Sequence, residues 1–306
     1  MSLQRPTWPE LPEALRDLIE ARVGEVTAWT SHDGGYSPGP ALTLTTATDR
    51  VFVKAADAKE HPFSADLHRR EAVATALLPS TVPAPALRWS VDSDATSDWV
   101  VLGFDAVDGR SPQLPWSDED VRAVAEAVET IAEIPAPAGL SAFSDNFGFD
   151  GWRTLAGSVA SGIETYDPWA LTNLERLAGI EPAWTEAVAG DVLVHQDLRG
   201  DNVLLTDRGA VVVDWPYASR GAAFCDLVGW LPSLKLEGGP DPEEMVASTR
   251  VGREANPEAL TTFVVALAGF FVSGSLEPPP PGVPHVRGFQ RAQGEVCLDW
   301  LKLRLG

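Results

Sequence analysis

The amino-acid sequence predicts an α+β protein of two lobes, because strand-forming and helix-forming segments occupy different parts of the chain. Before residue 105, short apolar runs alternate with glycine, proline and polar turns, a pattern typical of antiparallel strands. After residue 105, apolar residues recur mainly at the spacing of amphipathic helices. At 306 residues the chain is long enough for two hydrophobic cores. We therefore expect an N-terminal lobe of residues 1–104 and a mainly helical C-terminal lobe of residues 105–306.

The N-terminal lobe is predicted to hold one sheet of five antiparallel strands and two helices. The first helix covers Glu10–Val23, where the leucines repeat on one face. The second runs from Ser64, an N-cap residue type, to Leu78, and Pro79 follows its end. The predicted strands are Val26–Thr30, Ala41–Thr46, Arg50–Ala55, Ala86–Val91 and Trp99–Phe104.

The C-terminal lobe is predicted to be a series of helices. The first begins at Ser117, where S-D-E-D combines a cap residue with an acidic first turn. The further helices are predicted from about Trp152, over Trp169–Leu177, over Glu181–Val188, from Asp226, over Glu243–Val251, from about Pro257 and over His285–Leu303. Leu260–Leu276 is nearly long enough to cross a membrane, but Thr, Ser and Gly dilute it and Lys or Arg anchors are missing. We therefore predict a buried helix there and no membrane partner.

Composition and charge exclude some classes of function. A net charge of −21 argues against nucleic-acid binding, which needs basic patches. The same charge either attracts a cationic substrate or only keeps the surface soluble. The two cysteines, Cys225 and Cys297, suit a reducing compartment, and the N-terminus has no apolar signal segment. We therefore expect a cytoplasmic protein, with its oligomeric state left open.

Polar residues capable of phosphoryl-transfer chemistry crowd the segment between Asp191 and Asp226. Two apolar runs bracket a loop that contains His195, Asp197 and Asn202, and a third run ends at Asp214. Short strands hold their ends rigidly, so these side chains can converge on a divalent cation and on a hydroxyl to be deprotonated. The alternative is a turn in which Asp and Asn bond only their own backbone. Three such residues between apolar runs favour the chemical interpretation.

The pattern H-x-D-x-x-x-x-N, followed twelve residues later by D-W, resembles the catalytic loop of the aminoglycoside phosphotransferase (APH)-like kinases. This resemblance implies a bilobal protein-kinase-like fold. It also implies that ATP and Mg²⁺ are the cofactors. Asp197 would orient and deprotonate the acceptor hydroxyl, while Asn202 and Asp214 would hold Mg²⁺. Asp226 matches a family aspartate that braces the catalytic loop.

The N-terminal lobe carries features that the same resemblance assigns to nucleotide binding. Lys54 ends an alternating strand and Glu71 lies in the next helix, like the kinase ion pair that positions the phosphates. The alternative is that both are ordinary surface charges, or that His68, Arg69 and Arg70 are the partners of Glu71. Gly34, Gly35 and Ser37 match the family's phosphate loop, although glycines between strands also make plain hairpins. In the same family, a short hinge that follows a strand and ends near a glycine contacts adenine through its backbone. Matching that glycine to Gly109 implies adenine contacts at the Asp105 carbonyl and the Val107 amide.

Two positions inside the catalytic loop depart from the family pattern. Arg199 could stabilise the transferring phosphoryl group as a second catalytic residue, or it could pair with Asp201; the sequence favours neither. Four carboxylates in the segment before the loop are candidate acceptor ligands, although solvated surface carboxylates are the more common case. They are Asp145, Asp150, Glu164 and Asp167.

The sequence therefore predicts an enzyme that transfers the γ-phosphate of ATP to a hydroxyl of a small, amine-bearing molecule. Aminoglycosides, amino sugars and amino alcohols are the expected acceptors. The alternatives are a kinase of a neutral sugar or a macrolide, and a catalytically idle relative that only binds nucleotide. A protein kinase lacks support, because no A-P-E segment follows Asp214.

Overall fold

The computed structural model describes residues 5–32, 38–94, 97–158, 162–279 and 285–306. The chain forms two compact units that interleave in sequence. The first unit consists of Met1–Ser111 and Asp201–Tyr217, and the second of Pro112–Gly200 and Ala218–Gly306. The division into lobes of residues 1–104 and 105–306, made from the sequence, remains a prediction.

Most strands of the described residues lie in the first part of the chain and most helices in the later part. The strands are β1 (Ala28–Ser31), β2 (Ala41–Thr45), β3 (Arg50–Asp57), β4 (Leu87–Val91), β5 (Trp99–Asp105), β6 (Val192–Val194), β7 (Val203–Thr206), β8 (Gly209–Val212) and β9 (Ser219–Gly221). The helices are α1 (Glu13–Val23), α2 (Pro62–Leu77), α3 (Asp118–Ala132), α4 (Gly151–Ala156), α5 (Pro168–Thr172), α6 (Leu174–Ile180), α7 (Trp184–Ala187), α8 (Cys225–Leu236), α9 (Pro242–Ser248), α10 (Arg250–Glu254), α11 (Pro257–Leu276) and α12 (Val286–Leu305).

The first unit is built on one five-stranded antiparallel sheet of order β1-β2-β3-β5-β4, as predicted. Side chains alternate between the two faces of a strand. In β3, Val51, Val53 and Ala55 therefore share a core with the buried residues Leu15 and Ile19 of α1. The intervening residues of β3 face the opposite side of the sheet, and that side holds a cavity. The β7–β8 hairpin completes the unit.

Two predicted helix starts are wrong in the first unit. Helix α1 begins at Glu13, because Glu10 ends a separate 3-10 turn, Trp8–Glu10. Helix α2 begins at Pro62, so Ser64 lies inside its first turn and is buried there. Proline suits the first helical position because its missing N–H would have no intrahelical partner.

The second unit is mainly helical and packs around α11. Its other members include α12, α4 and α7, which contact α11 directly. Among the described residues, α11 is the one helix long and apolar enough to cross a membrane by length and composition, and 56% of its apolar window is buried inside the protein. The predicted buried helix is therefore observed. Strands β6 and β9 pair in this unit and carry the loop that follows β6.

Two predicted helices of the second unit are each split in two. Asn173 leaves helical geometry (φ −98°, ψ 7°) and separates α5 from α6. Thr249 is extended (φ −87°, ψ 150°) and separates α9 from α10. In both places the apolar spacing continues across the break, which is why the sequence pattern predicts a single helix.

Candidate active site

A cavity of about 380 Å³ lies within the first unit, a volume in the range of small-molecule sites. It is lined by β3, β5, α2, the segment after β5 and the β7–β8 hairpin. Six of the predicted site residues line it: Lys54, Glu71, Asp105, Val107, Asn202 and Asp214.

Lys54 is a buried ammonium held between two carboxylates. Its Nζ lies 2.6 Å from Oε2 of Glu71, and it also donates a hydrogen bond to Oδ1 of Asp214. Lys54 is 9% exposed and Glu71 is 2% exposed. Burial alone would lower the pKa of Lys54, but the charges of Asp214 and Glu71 outweigh it and raise the pKa above its ordinary value. The predicted Lys54–Glu71 pair is therefore present, and the cation is fixed at the cavity wall.

The part of the cavity next to Lys54 is aromatic and leads into the predicted hinge. The rings of Phe52 and Phe104 lie 6.5 Å apart, and the Phe104 ring is 5.7 Å from Nζ of Lys54. Phe104 ends the buried part of β5, and Asp105 and Val107 follow at the cavity rim. Within the described part of the chain, nothing accepts a hydrogen bond from the Val107 amide. An apolar floor beside an available N–H donor suits a flat heteroaromatic base.

Glycine permits a close approach where the hinge passes the β7–β8 hairpin. A Cβ on Gly109 would lie 3.1 Å from both the Leu204 Cβ and the Leu205 carbonyl oxygen. The next residue, Arg110, exchanges two backbone hydrogen bonds with Leu205, of 2.9 and 2.7 Å. This close approach fixes the hairpin against the segment that follows β5. The hairpin carries Asn202 and Asp214 at its two ends.

Asn202 and Asp214 provide oxygen atoms of the type that Mg²⁺ prefers. The Val213 amide donates to the Asn202 carbonyl oxygen at 2.9 Å, which ties the two segments together. The Asn202 residue is 4% exposed, whereas the Asp214 side chain is 49% exposed and open to a ligand. No cluster of three His, Cys, Asp or Glu side chains that could hold a metal occurs in the described ranges. Two protein oxygens with the rest of the shell left to water and phosphate fit magnesium bound together with a nucleotide.

The loop after β6, in the second unit, is braced by a buried carboxylate. Asp226 is 5% exposed and accepts hydrogen bonds from the backbone amides of His195 (2.8 Å) and Gln196 (2.9 Å). Burial raises the pKa of Asp226, while His195 and the two amides act against that rise. The Asp197 amide donates to Nδ1 of His195 at 3.2 Å. His195 is fully buried, so it supports the loop from inside.

Gln196 adds a second anchor to this loop. Its φ is +70°, in the left-handed region that non-glycine residues seldom adopt. Its side chain donates to the Phe143 carbonyl oxygen at 2.9 Å and accepts from Asn146 at 2.5 Å. Backbone and side chain of Gln196 are thus both fixed, which sets the direction of Asp197.

Asp197 and Arg199, the two predicted catalytic residues, contact each other within the second unit. An Nη1 atom of Arg199 lies 3.4 Å from Oδ1 of Asp197, and its guanidinium carbon lies 5.9 Å from the centre of the Phe289 ring. The Asp197 side chain is 34% exposed and so is open to a ligand. The two predicted roles of Arg199 stay open.

The cavity lining also contains three arginine and histidine side chains that the sequence analysis did not place there: Arg5, His32 and His68. Arg5 donates to the Gly39 carbonyl oxygen at 3.2 Å. His68 lies on α2, and burial together with the charge of Lys54 lowers its pKa to about 3. His68 immediately precedes Arg69 and Arg70 in the sequence, so no local pattern marks it as a cavity residue. Arg5 also has no sequence signal, because only the fold brings the N-terminal segment to the cavity.

The remaining predicted residues have other outcomes. Gly34, Gly35 and Ser37 lie outside the described residues. Asp145 and Asp167 accept hydrogen bonds from nearby backbone amides. Asp145 accepts from the Ala142 amide at 2.9 Å. Asp167 caps α5 by accepting from the amides of Trp169 and Ala170. Asp167 also pairs with Lys302 at 2.9 Å.

The model of the phosphotransferase enzyme family, APH, matches residues 29–259 of the chain. The chain therefore belongs to this family. The match confirms the predicted family and the predicted class of enzyme, an ATP-dependent phosphotransferase with an alcohol acceptor. No sequence among curated proteins matches the chain.

Solved structures with the same fold are distant in sequence. A thermostable mutant of aminoglycoside phosphotransferase APH(4)-Ia, in ternary complex with AMP-PNP and hygromycin B, aligns with a TM-score of 0.63 and 14% identity over 96% of this chain and 100% of that chain. Spectinomycin phosphotransferase APH(9)-Ia, in complex with ADP and spectinomycin, gives 0.60 and 11% over 96% and 98%. Choline kinase LicA from Streptococcus pneumoniae gives 0.52 and 14% over 96% and 98%. The predicted kinase-like fold is confirmed.

Proposed function

We propose that this protein transfers the γ-phosphoryl group of Mg·ATP to a hydroxyl of a small, amine-bearing molecule such as an aminoglycoside, an amino sugar or an amino alcohol. One observation carries the proposal: Lys54, Glu71, Asn202 and Asp214 line a single cavity of the first unit. A fixed cation beside a carboxylate and an amide suits the polyphosphate of a nucleotide and its metal ion.

The nucleotide end of the reaction follows from the cavity. The Phe52–Phe104 floor would receive adenine, with the Val107 amide as a hydrogen-bond donor. When nucleotide binds, the Lys54 ammonium would give up part of its interaction with Asp214 and interact with the phosphate oxygens instead. Asn202 and Asp214 would hold magnesium, which when bound neutralises charge on the phosphates.

The acceptor end depends on Asp197. Its carboxylate would accept the proton of the acceptor hydroxyl as the oxygen attacks the γ-phosphorus, the new O–P bond forms and the bond to the ADP oxygen breaks. Asp226 and Gln196 hold the loop so that Asp197 needs little rearrangement, which is how positioned groups lower a barrier. Arg199 places a positive charge 3.4 Å from this carboxylate.

The choice of an amine-bearing acceptor has two supports. The net charge of −21 attracts cations over long range. Two structural neighbours are described in complex with hygromycin B and with spectinomycin, and a third is a choline kinase. Neutral sugars and macrolides are the alternative acceptors within the same chemistry.

We also propose that the protein works in the cytoplasm. Both cysteines, Cys225 and Cys297, are buried free thiols rather than a disulfide. Free thiols persist in a reducing compartment.

The deciding experiment is Asp197→Asn, assayed with a panel of amino sugars, aminoglycosides, choline-like alcohols and neutral sugars. We expect acceptor-dependent ATP consumption to fall by about 10³-fold, because a general base contributes roughly that much. Binding of Mg·ATP should stay within about twofold of the wild type, because Asn keeps the shape of the side chain.

Asp191→Asn is the matched control, since Asp191 precedes β6 and its side chain is 97% exposed. This variant should behave as the wild type in both assays. Unchanged turnover in Asp197→Asn would refute the base role. A wild-type chain that binds Mg·ATP but phosphorylates no acceptor would instead be an idle nucleotide-binding relative.

A further inference from the structure

Arg88 lies at an irregularity in the strand next to the hinge. In the pairing of β4 with β5, Leu87 opposes Phe104 and Trp89 opposes Gly103, so Arg88 is an extra residue without a partner across the strand. Such a β-bulge turns the side chain of the extra residue away from its regular direction. The bulge therefore decides where the Arg88 guanidinium points.

The guanidinium of Arg88 joins two carboxylates from different segments. Its Nε donates to Oδ1 of Asp105 at 2.6 Å, and its Nη1 donates to Oδ2 of Asp49 at 2.5 Å. A third, longer contact of 3.4 Å joins Nη2 to Oδ1 of Asp49. These bonds raise the pKa of Arg88 and lower the pKa of Asp49. Asp49 lies in the turn between β2 and β3, and Asp105 ends β5.

Asp105 forms a wall shared by two cavities of the first unit. On one side is the proposed nucleotide cavity, which Asp105 and Val107 line. On the other side is a wider groove of about 1440 Å³, lined by Arg88, Asp49 and again by Asp105 and Val107. Arg88 thus bonds Asp105 of the hinge from the wider groove and not from the proposed nucleotide cavity. The Asp105 amide also donates to the Ala86 carbonyl oxygen at 3.0 Å, which adds a backbone link beside the side-chain link.

We propose that Arg88 is a positioning residue for nucleotide recognition: from the β4 bulge it fixes Asp105, and with it the hinge groups that distinguish adenine from guanine. The inference rests on the proposed function, because it assumes that adenine binds at Asp105 and Val107. An adenine presents a donor and an acceptor where guanine presents the reverse, so discrimination requires a hinge held in place. A loosened hinge can adapt to either base.

The test is direct binding of Mg·ATP and Mg·GTP to the full chain, measured by calorimetry without any acceptor. For Arg88→Ala we expect ATP affinity to fall about tenfold, within the range of coupling between residues in contact. The affinity for GTP should fall less, so the ratio of ATP affinity to GTP affinity should decrease. Arg88→Lys keeps the positive charge but loses the guanidinium geometry that bonds two carboxylates at once. It should give a ratio of ATP to GTP affinity between those of the wild type and Arg88→Ala. In the Asp105→Ala background, Arg88→Ala should cause little further change in ATP affinity.

Arg69→Ala is the control for a general loss of a surface ion pair. Arg69 bonds Asp92 through Nε at 2.7 Å, and its side chain is 36% exposed, against 35% for Arg88. This variant should keep both the ATP affinity and the ratio of the wild type. An unchanged ratio in Arg88→Ala, or an equal change in Arg69→Ala, would overturn the inference while leaving the proposed function intact. A wild-type chain that binds neither nucleotide would overturn the proposed function itself.

Discussion

At the scale of single residues, backbone strain coincides with the proposed chemistry. Gln196 and Asp214 are the two non-glycine residues of the described ranges with positive φ, +70° and +62°. Such conformations cost on the order of 1 kcal/mol or more and persist where surrounding contacts enforce them. Gln196 sets the direction of the loop before Asp197, and Asp214 is a proposed metal ligand. Both are held by neighbours, Gln196 by Asp226 and Asp214 by Lys54.

His68 gives the molecule a pH dependence that one substitution can isolate. It is 5% exposed, its Nδ1 atom has no hydrogen-bond partner among the described residues, and its pKa is lowered from 6.5 to about 3. The folded chain therefore favours neutral histidine. The neutral His68 therefore contributes to the free energy of unfolding above pH 6.5. This contribution is lost as the pH falls toward 3, because His68 of the unfolded chain is protonated at a higher pH than His68 of the folded chain.

We expect the wild-type protein to lose roughly 2 kcal/mol more stability between pH 7 and pH 5 than His68→Gln, from about 1.4 kcal/mol per pKa unit. Urea denaturation at both pH values measures the difference. His285→Gln, at an exposed histidine, should follow the wild type. Equal losses in wild type and His68→Gln would mean that His68 is already protonated in the folded chain.

At the scale of elements, the second unit depends on a close crossing between α4 and α11. A Cβ on Gly151 would lie 2.0 Å from the Gly269 carbonyl oxygen, which is backbone and cannot rotate away. A Cβ on Gly269 would in turn lie 2.6 Å from Oε1 of Glu181, a fully buried carboxylate that accepts from the Trp152 amide at 2.9 Å. Small residues on both helices therefore set their separation.

We predict that Gly151→Ala lowers the free energy of unfolding by about 3 kcal/mol, the cost of forcing extra volume into a packed contact. Gly157→Ala, six residues later at the end of α4, is the matched control. Its Cβ would lie 3.4 Å from the Arg153 carbonyl oxygen and 3.8 Å from the Thr154 carbonyl oxygen, both ordinary van der Waals contacts. Urea denaturation should show a change of less than about 1 kcal/mol for the control. Similar losses in the two variants would contradict the tight crossing.

Sequence patterns predicted the elements whose signal is local. The alternation around Lys54, the cap at Ser117 and the apolar repeat of α11 all depend on neighbouring residues, and all are observed. The Ser117 hydroxyl, for example, accepts from the Asp120 amide at 3.1 Å. The breaks at Asn173 and Thr249 were not predicted, because backbone geometry changes there while the apolar spacing continues.

The residues of the candidate site also fall into those that the sequence predicts and those that it does not. Asn202 and Asp214 follow from a motif with fixed spacing, and Lys54 and Glu71 from a strand lysine followed by a helix glutamate. The structure places these four in one cavity. Arg88 and His68 could not be predicted. A β-bulge re-aims Arg88, and burial on α2 brings His68 to the cavity; both depend on contacts between segments distant in sequence.

At the scale of the whole molecule, the net charge of −21 makes binding depend on salt. Salt screens the long-range attraction between an acidic protein and a cationic acceptor. We therefore expect the KM of an amine-bearing acceptor to rise several-fold between about 20 and 300 mM salt. The KM of anionic Mg·ATP should fall or stay constant over the same range.

Initial-rate measurements with each substrate varied in turn provide this comparison. A neutral sugar alcohol that is phosphorylated serves as the control acceptor and should show a flat salt response. If the amine-bearing acceptor is also insensitive to salt, the charge acts on solubility alone.

The interleaving of the two units has a consequence for how the protein is made. The first unit is sheet-forming up to Ser111, yet it is completed by Asp201–Tyr217. A nascent chain that has emerged only to residue 111 lacks Asn202 and Asp214, so it holds the proposed adenine end of the cavity without the proposed metal ligands. Domains generally fold as units during synthesis, and here the nucleotide site becomes complete only after the ribosome has released residue 217. Until then, the half-built site cannot hold Mg·ATP in the way proposed for the finished enzyme.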